Sequence, residues 1–309
     1  MKKIISPISR FDLEKELNEE TFIRKTNFCN HDIYIVDFKN QRNTSMEIGR
    51  LRELTFRNAG GGTGKSFDLD EFDTREEAFY KQLIVWDPDE KQIIGGYRFM
   101  QGSDIINSKK FNNSATNTLF NYNDDFYKNI FPYTIELGRS FVQPAYQPSS
   151  GNRKAIFSLD NLWDGLGALV VDYPEIQYLF GKVTMYLDFD KKGRDLILGF
   201  MNHFFKDEKK WITPKEPLKY HHDISYFKKD IIKLNYNEAY KILVKYLKDL
   251  KSSVPPLIAA YMNLSPSMKT FGTTMNLKFG AVEETGILIS LKDIYPEKKD
   301  RHVNSYKKK

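Results

Sequence analysis

Charged side chains recur in four short motifs, in combinations suited to binding an anion and moving a proton. The motifs are Arg52-x-x-x-Phe56, Asp70-x-x-Asp73, Gly95-Gly-Tyr-Arg98 and Glu136-Leu-Gly-Arg139-Ser140. A carboxylate such as that of Glu136 can accept a proton, directly or through a water molecule. The planar guanidinium of Arg52 can bind a carboxylate or a phosphate through two parallel hydrogen bonds. These motifs therefore hold the candidate functional residues.

The same charged residues also have a purely structural interpretation. Glu136 and Arg139 can form an ion pair that only stabilises the fold. Arg98 can pair with Asp70 or Asp73 and pin the loop that carries them. A loop held closed in this way would also exclude water from a site, so pinning and function are compatible.

A helix is predicted to carry the first motif. Ile48 and Leu51 recur at helical spacing within Met46–Asn58. On this helix Arg52 and Phe56 are four residues apart and share a face. Phe56 is expected in the hydrophobic core more than against a substrate.

Strands are predicted to carry the third and fourth motifs. Leu83–Trp86 and Ile93–Met100 flank a segment with Pro and Asp, which is typical of the turn in a β-hairpin. Tyr133–Val142 is predicted to be a strand next to that hairpin. In a regular strand the side chains of Glu136 and Arg139 would point to opposite faces. A β-bulge at Gly138 would bring both to one face.

The remaining segments predict an α/β (α+β) fold around a mixed, largely antiparallel sheet. Residues 1–32 are predicted to be an N-terminal extension, 33–295 a single domain, and 296–309 a mobile basic tail. The further predicted elements are a strand at Ile33–Phe38, helices at Lys154–Val171, Asp190–Phe205 and Asn237–Leu250, and strands at Tyr178–Leu187, Leu257–Leu264 and Gly286–Leu291.

The segment Ala59-Gly-Gly-Gly-Thr-Gly-Lys65-Ser66 closely resembles a phosphate-binding loop. A true loop of this kind follows a buried strand and opens an apolar helix. Here a helix precedes it, and the four carboxylates of Phe67-Asp-Leu-Asp-Glu-Phe-Asp73 would repel a triphosphate. We therefore disfavour nucleotide hydrolysis and expect a flexible loop that closes over a site. His221 and His222 are adjacent and point apart on a strand, so we expect surface residues and no metal site.

Composition limits the class of protein. The chain has 309 residues, of which 40% are hydrophobic, enough for a sizeable core. Its formal net charge is +6, and the last fourteen residues alone carry six basic and two acidic side chains. The small remaining excess disfavours nucleic-acid binding. A single cysteine, Cys29, fits a reducing compartment. With no signal peptide or transmembrane stretch evident, we expect a cytoplasmic protein with at most peripheral contact to an anionic membrane.

The motifs in this order resemble the acyltransferase branch of the GNAT superfamily that includes ornithine-lipid, glycine-lipid and acyl-homoserine-lactone synthases. The phrases "DLDEFD", "QLIVWD", "GGYRFM" and "ELGRSFVQPAY" resemble the amino-acid N-acyltransferases more than the autoinducer synthases. So do "LFGKVTMY", "PPLIAAYMNL" and "LKFGAVEETGILI". The resemblance covers roughly residues 33–292, and some members of the group carry the historical label haemolysin. It implies a GNAT-like fold with helices on both faces of the sheet.

The implied reaction is attack of an amino acid's α-amine on an acyl thioester. The resemblance implies Glu136 and Arg139 as catalytic residues, with backbone N–H groups of a splayed strand near Gly138 stabilising the developing oxyanion. The substrate-binding residues would be Arg52, Phe56, Asp70, Asp73, Arg98, Gly138 and Ser140. No metal or covalent intermediate is implied.

Two departures from the family pattern bear on the donor and on the base. The amino-acid acyltransferases often have His before the first hairpin strand, where this chain has Gln82. The coenzyme A loop pattern fits Gln147-Pro-Ser-Ser-Gly-Asn152 poorly. We therefore expect no bound cofactor and an acyl donor presented on acyl carrier protein through its phosphopantetheine arm. The acceptor would be glycine or ornithine, and the product an aminolipid precursor. Alternatives are an autoinducer synthase and a non-catalytic, haemolysin-like membrane-binding protein.

Overall fold

The computed structural model describes residues 1–151 and 153–308. The chain divides into two compact units. The first comprises Met1–Ala115, Phe131–Gln177 and Pro296–Lys309, and the second comprises Thr116–Ile130 and Tyr178–Tyr295. All the candidate site residues belong to the first unit.

Strands and helices alternate along the described residues. The strands are β1 (Phe22–Lys25), β2 (Asp32–Val36), β3 (Lys81–Asp87), β4 (Gln92–Gln101), β5 (Phe120–Tyr122), β6 (Thr134–Val142), β7 (Tyr178–Met185), β8 (Ile212–Pro214), β9 (Lys269–Asn276) and β10 (Val282–Ser290). The α-helices are α1 (Arg10–Glu16), α2 (Arg42–Asn58), α3 (Glu71–Thr74), α4 (Gly102–Asn107), α5 (Ser158–Asp172), α6 (Lys191–Phe204), α7 (Ser225–Ile231), α8 (Tyr236–Asp249), α9 (Pro256–Met262) and α10 (Pro296–His302).

In the first unit, strands β1, β2, β3, β4 and β6 lie side by side in that order, and each neighbouring pair is antiparallel. Gln82 on β3 faces Arg98 on β4, and Arg98 faces Gly138 on β6. Because cross-strand partners project to the same face, these three positions define one line across the sheet. Glu136 lies two residues before Gly138 and shares its face.

Helices cover both faces of this sheet, as the resemblance implies. A Cβ added at Gly165 of α5 would lie 2.5 Å from a methyl carbon of Leu83, so α5 packs closely on the face of Leu83. Gln82, the preceding residue, points to the opposite face, where Arg52 of α2 contacts it. The face toward α2 thus carries buried polar side chains, among them Gln82 and Arg98.

The second unit has its own strands and core. β10 pairs with β7 and with β9, both antiparallel, and β5 pairs with β8. Its helix α8 begins with a capping box, in which Asn235 and Glu238 satisfy each other's backbone N–H groups. Ala239, Leu243 and Leu247 recur on the buried face of α8.

Most predicted elements are confirmed, including the hairpin, the strand next to it and all four predicted helices. The predicted strand Leu257–Leu264 is wrong, because this segment forms α9. Pro255 is its N-cap and Pro256 its first residue, and Ile258, Tyr261 and Met262 are buried at helical spacing. Strand β9, which belongs to the second unit, was not predicted.

The expectation of a mobile C-terminal tail is also wrong for the described residues. Residues 296–302 form α10, and Nδ1 of the buried His302 lies 2.8 Å from Oδ1 of Asp164 on α5. A Cβ added at Gly167 would lie 2.0 Å from the carbonyl oxygen of His302, so the two backbones pass closely. Lys309 lies outside the described residues. No helix in the described part of the chain is both long and apolar enough to cross a membrane.

Candidate active site

Arg52 projects from α2 onto the polar face of the sheet and is fully buried. Its Nε lies 3.1 Å from Oδ2 of Asp68, and its Nη1 lies 3.4 Å from Oδ1 of Asp73. Nη1 also donates to the side-chain oxygen of Gln82 at 3.4 Å. The carboxylates that Arg52 contacts are thus this chain's own, and its predicted role in binding substrate stays a prediction.

Arg98 on β4 binds two carboxylates from the segment that follows the glycine-rich loop. Its Nη1 lies 2.8 Å from Oδ1 and 2.9 Å from Oδ2 of Asp70, and 3.2 Å from Oδ2 of Asp73. The pairing with Asp70 or Asp73 predicted from the sequence is confirmed, and it involves both. Asp70 and Asp73 also form a capping box around α3, so the ion pairs fix this short helix against the sheet.

A β-bulge in β6 turns Arg139 toward the same cluster. Gly96 faces Phe141 while Arg98 faces Gly138, so Arg139 and Ser140 together oppose one residue of β4. Arg139 has φ +51°, and its Nε lies 2.8 Å from Oδ2 of Asp68. A bulge was predicted, but its left-handed residue is Arg139 and not Gly138.

Gly138 has a different constraint. A Cβ at Gly138 would lie 3.3 Å from Nε of Arg98, so glycine leaves room for that guanidinium.

Asp68 is the residue that the motif analysis missed. It is fully buried and is shared by Arg52 and Arg139. Burial opposes its ionisation, but Arg139, Arg52 and Arg98 together outweigh that effect and hold its pKa below the usual range. The alternation Asp68-Leu-Asp70 carried a signal, because two residues apart in an extended segment share a face. Leu69, between them, is buried against Gly49 of α2.

The cluster is electrically balanced. Three guanidiniums, of Arg52, Arg98 and Arg139, meet three carboxylates, of Asp68, Asp70 and Asp73. Removing one member leaves a buried charge without compensation, which is costly. Balance of this kind allows so much charge to be buried beside the sheet.

Glu136 lies on the same face and is 1% exposed. Tyr80 and the Arg75 guanidinium lie close enough to interact electrostatically with it. Of the other predicted residues, Phe56 is buried one turn after Arg52, and Ser140 is half-buried in the bulge. The structure therefore brings Glu136, Arg139, Arg98, Asp70, Asp73 and Arg52 to one face of one unit.

The glycine-rich loop holds an anion, but that anion belongs to the protein. Glu53 of α2 accepts hydrogen bonds from the N–H groups of Thr63 and Gly64 and from the hydroxyl of Thr63, at 2.7–2.9 Å. Arg57 donates to Glu53 at 2.7 Å and also to the carbonyl of Lys65. Because Glu53 occupies the position that a phosphate would take, the loop is not a nucleotide-binding site. The same hydrogen bonds anchor the loop, which was expected to be flexible.

The histidine pair also has a structural explanation. The backbone N–H groups of His221 and His222 each donate to Oδ2 of Asp195 at 2.8 Å, and both residues are exposed. Within the described residues, no group of three His, Cys, Asp or Glu side chains is arranged to hold a metal ion.

Comparison with known proteins defines the class first. Residues 51–155, which include the C-terminal half of α2, the hairpin and β6, match the acetyltransferase (GNAT) domain family. The glycine Nα-acyltransferase of Bacteroides thetaiotaomicron is 47% identical over 99% of this chain and 91% of its own length. The glycine Nα-acyltransferase of Phocaeicola vulgatus is 46% identical over 100% of this chain and 94% of its own length. No solved structure gives a significant match.

The chain therefore belongs to the GNAT-superfamily amino-acid N-acyltransferases. It is an acyltransferase, as the four motifs implied.

Proposed function

We propose that this enzyme transfers a fatty acyl chain, 3-hydroxylated or not, from acyl carrier protein to the α-amine of glycine. Two full-length relatives named glycine Nα-acyltransferases, at 46–47% identity, carry the choice of glycine over ornithine. The amine nitrogen attacks the thioester carbonyl, an amide bond forms, and the carbon–sulfur bond breaks. The ammonium nitrogen loses two protons in becoming an amide: one passes through Glu136 to the departing thiolate, and the other is released to solvent.

The position of Glu136 supports its role as the proton acceptor. It is a buried carboxylate beside a charge-balanced cluster, held on a β-strand next to a bulge. Arg139, brought to the same face by that bulge, would bind the acyl donor or the amino acid's carboxylate. The other charged residues of the cluster would act by shaping this face, because most of their charge is paired within the cluster. These residues are Arg52, Arg98, Asp70 and Asp73.

Glu136→Gln tests the proton acceptor. The variant keeps the side-chain shape and removes the basic oxygen, so acyl transfer to glycine should fall by about 10²–10⁴-fold. Raising the pH should partly restore the rate, because more free amine is then present without help. The matched variant Arg139→Lys keeps the charge but loses the planar fork, and it should also slow transfer.

If Glu136 and Arg139 serve only as a structural ion pair, the opposite result is expected for both variants. They would melt at lower temperature while each folded molecule kept its turnover. Near-normal activity in a well-folded Glu136→Gln variant would reject this residue as the base.

The distribution of charge supports acyl carrier protein, an acidic protein, as the donor. Residues 191–251 carry fifteen basic and eight acidic side chains. The net positive charge of this segment is therefore larger than the +6 of the whole chain. On α8, Lys241, Lys245 and Lys248 are exposed on one face around Val244, which is 45% exposed. Within the described residues these three lysines form no ion pair. A few other exposed lysines, such as Lys128, do.

Lys241→Glu, Lys245→Glu and Lys248→Glu, combined, test this donor. The kcat/KM for acyl carrier protein should fall strongly, and that for acyl-coenzyme A should change little. The wild-type rate with the carrier protein should also fall as salt screens the attraction. The matched control, with Lys91, Lys110 and Lys128 all changed to Glu, alters the net charge equally and should retain activity. Equal use of both donors and no response to salt would reject docking of the carrier protein.

The product would enter aminolipid synthesis at the cytoplasmic face of the membrane. Lipid mass spectrometry of cells with and without the gene tests this directly. A new N-acylglycine lipid supports the proposal. An acyl-homoserine lactone would instead support the autoinducer alternative, and membrane lysis without either product would support the haemolysin-like one. Co-sedimentation with anionic liposomes, compared between wild type and Lys298→Gln, Lys299→Gln, tests peripheral contact.

A further inference from the structure

Two aromatic rings are stacked at the surface of the first unit, outside the four motifs. Phe28 lies in the turn between β1 and β2, and Phe157 ends the 3₁₀ helix before α5. Their ring centroids are 4.9 Å apart, and their planes are 6° from parallel. Phe28 is 37% exposed, and Ile156, the residue before Phe157, is 67% exposed. Exposed apolar side chains that lie together mark an interaction surface.

Basic side chains border these apolar residues. The exposed Arg301 of α10 lies 5.0 Å from the ring centroid of Phe28. Arg24 of β1 donates to the side-chain oxygen of Asn27, the neighbour of Phe28, at 2.6 Å. Asp160 accepts a hydrogen bond from Arg301 at 2.6 Å and offsets part of this charge. We name this region the aromatic–basic surface, and it consists of Phe28, Ile156, Phe157, Arg24 and Arg301.

The C-terminal segment adds positive charge beside this surface. Residues 296–308 carry five basic and two acidic side chains. Two contacts fix the segment there: Arg24 donates to the hydroxyl of Ser305 at 3.3 Å, and Asn27 donates to the carbonyl of Arg301 at 2.8 Å. An anionic bilayer attracts such basic side chains, and its headgroup region accepts exposed apolar ones. The chemistry of this surface therefore matches that of an anionic bilayer.

We propose that the aromatic–basic surface binds an anionic lipid bilayer, with Phe28 and Ile156 entering the headgroup region. This inference rests on the proposed function, in which the product carries a fatty acyl chain. Such a product is poorly soluble in water, so an enzyme held at a bilayer can release it there. A stable protein–protein interface takes about 20 residues from each partner, and this surface has five.

Ile156→Ser and Phe28→Ser test the proposal with vesicles that contain anionic and zwitterionic lipids. Each variant should lower the vesicle partition constant on the order of 10-fold, because apolar area no longer enters the bilayer. Binding of the wild type should weaken with added salt and with purely zwitterionic vesicles. Phe28→Ser also loses the ring stack and should melt at lower temperature. The largely exposed Ile156 allows Ile156→Ser to fold normally, so this variant decides the test.

Phe11→Ser is a matched control within the same unit. Phe11 is 63% exposed, and Nζ of Lys15 lies 4.0 Å from its ring centroid. It is thus also an exposed ring with a cation above it, but it contacts no second ring within the described residues. Its loss should leave vesicle binding unchanged. A polarity-sensitive fluorophore on Cys29, the exposed single cysteine next to Phe28, should shift its emission to shorter wavelength with anionic vesicles.

Acyl-transfer rates with water-soluble substrates separate this inference from the proposed function. Ile156→Ser and Phe11→Ser should both keep the wild-type rate. Wild-type vesicle binding in Ile156→Ser, or equal losses of binding in Ile156→Ser and Phe11→Ser, would overturn the inference and leave the reaction unaffected. A lower rate with the carrier-protein donor and unchanged vesicle binding in Ile156→Ser would also overturn it, in favour of a protein partner. Failure of the wild type to acylate glycine would instead reject the proposed function.

Discussion

Arg52 and Glu53 are neighbours on α2, both fully buried and both charged, yet they hold different parts of the first unit. Glu53 binds the glycine-rich loop through Thr63 and Gly64, which follow it within eleven residues. Arg52 binds Asp68, Asp73 and Gln82, which belong to the acidic segment and the sheet. One residue closes a local loop, and the other joins separate elements around Glu136.

This difference teaches that burial and charge alone do not mark a functional residue. The partners of Glu53 are backbone N–H groups, a hydroxyl and Arg57, so the Glu53 carboxylate takes the place of the phosphate that such a loop would otherwise bind. The partners of Arg52 share Asp68 and Asp73 with Arg139 and Arg98. Substitutions among the partners of Arg52 should therefore lower the rate of acyl transfer. Substitutions among the partners of Glu53 should lower only the stability of the fold.

Asp68→Asn should have the largest effect. It leaves two buried guanidiniums, of Arg52 and Arg139, short of one charge, so the free energy of unfolding should fall by about 3–5 kcal/mol. Turnover per folded molecule should fall as well, because Arg139 loses the carboxylate that orients it. Urea denaturation and single-turnover rates measure the two effects. The control Asp124→Asn, at an exposed pair with Lys128, should change neither. Unchanged turnover in folded Asp68→Asn would show that the cluster is structural only.

Glu53→Gln should lower the free energy of unfolding by about 1–3 kcal/mol. Its amide group would face N–H donors of the loop, so at least one hydrogen bond is lost. Turnover per folded molecule should stay at the wild-type value, and trypsin should cleave faster at the exposed Lys65. A loss of turnover like that expected for Asp68→Asn would show that Glu53 also supports the chemistry, and would contradict the distinction drawn here between Arg52 and Glu53.

Low pH should weaken the ion pairs of the cluster around Arg52. The guanidiniums of Arg98, Arg139 and Arg52 outweigh the effect of burial and hold the pKa of Asp70 well below its usual value, as they do for Asp68. A carboxyl with a lowered folded-state pKa contributes stability that is present above about pH 4 and is lost as pH falls further. Asp70→Asn should therefore flatten the fall in unfolding free energy between pH 5 and pH 3. An identical slope in wild type and variant would contradict this assignment.

The smallest effect is expected at two glycines of the loop. Gly62 has φ +89°, and an added Cβ would lie 3.3 Å from Oε1 of Glu53. Gly60 has φ +87° but nothing within 4 Å of such a Cβ. Gly60→Ala should thus cost about 1 kcal/mol from backbone strain alone. Gly62→Ala should cost somewhat more in thermal unfolding, because its Cβ would also crowd Glu53 and Arg57. Equal costs would mean that these side chains move aside freely.

Sequence patterns were most informative where a contact is local. The hairpin, the strand beside it and the helix with Arg52 follow from turn chemistry and periodicity, which act over a few residues. The pairing of Arg98 with Asp70 and Asp73 also followed, because opposite charges in motifs of one site have few other partners. The segment forming α9 was misread because short apolar runs suit both strand and helix.

The sequence by itself determined the order of the elements, the motif residues and the family to which they belong. The tertiary structure decided which anion the glycine-rich loop holds, which arginines share Asp68 and where the bulge in β6 falls. Those outcomes depend on which side chains meet across elements far apart in the chain. Spacing fixes the face on which a residue lies, but the partner it meets is set by how closely two elements pack.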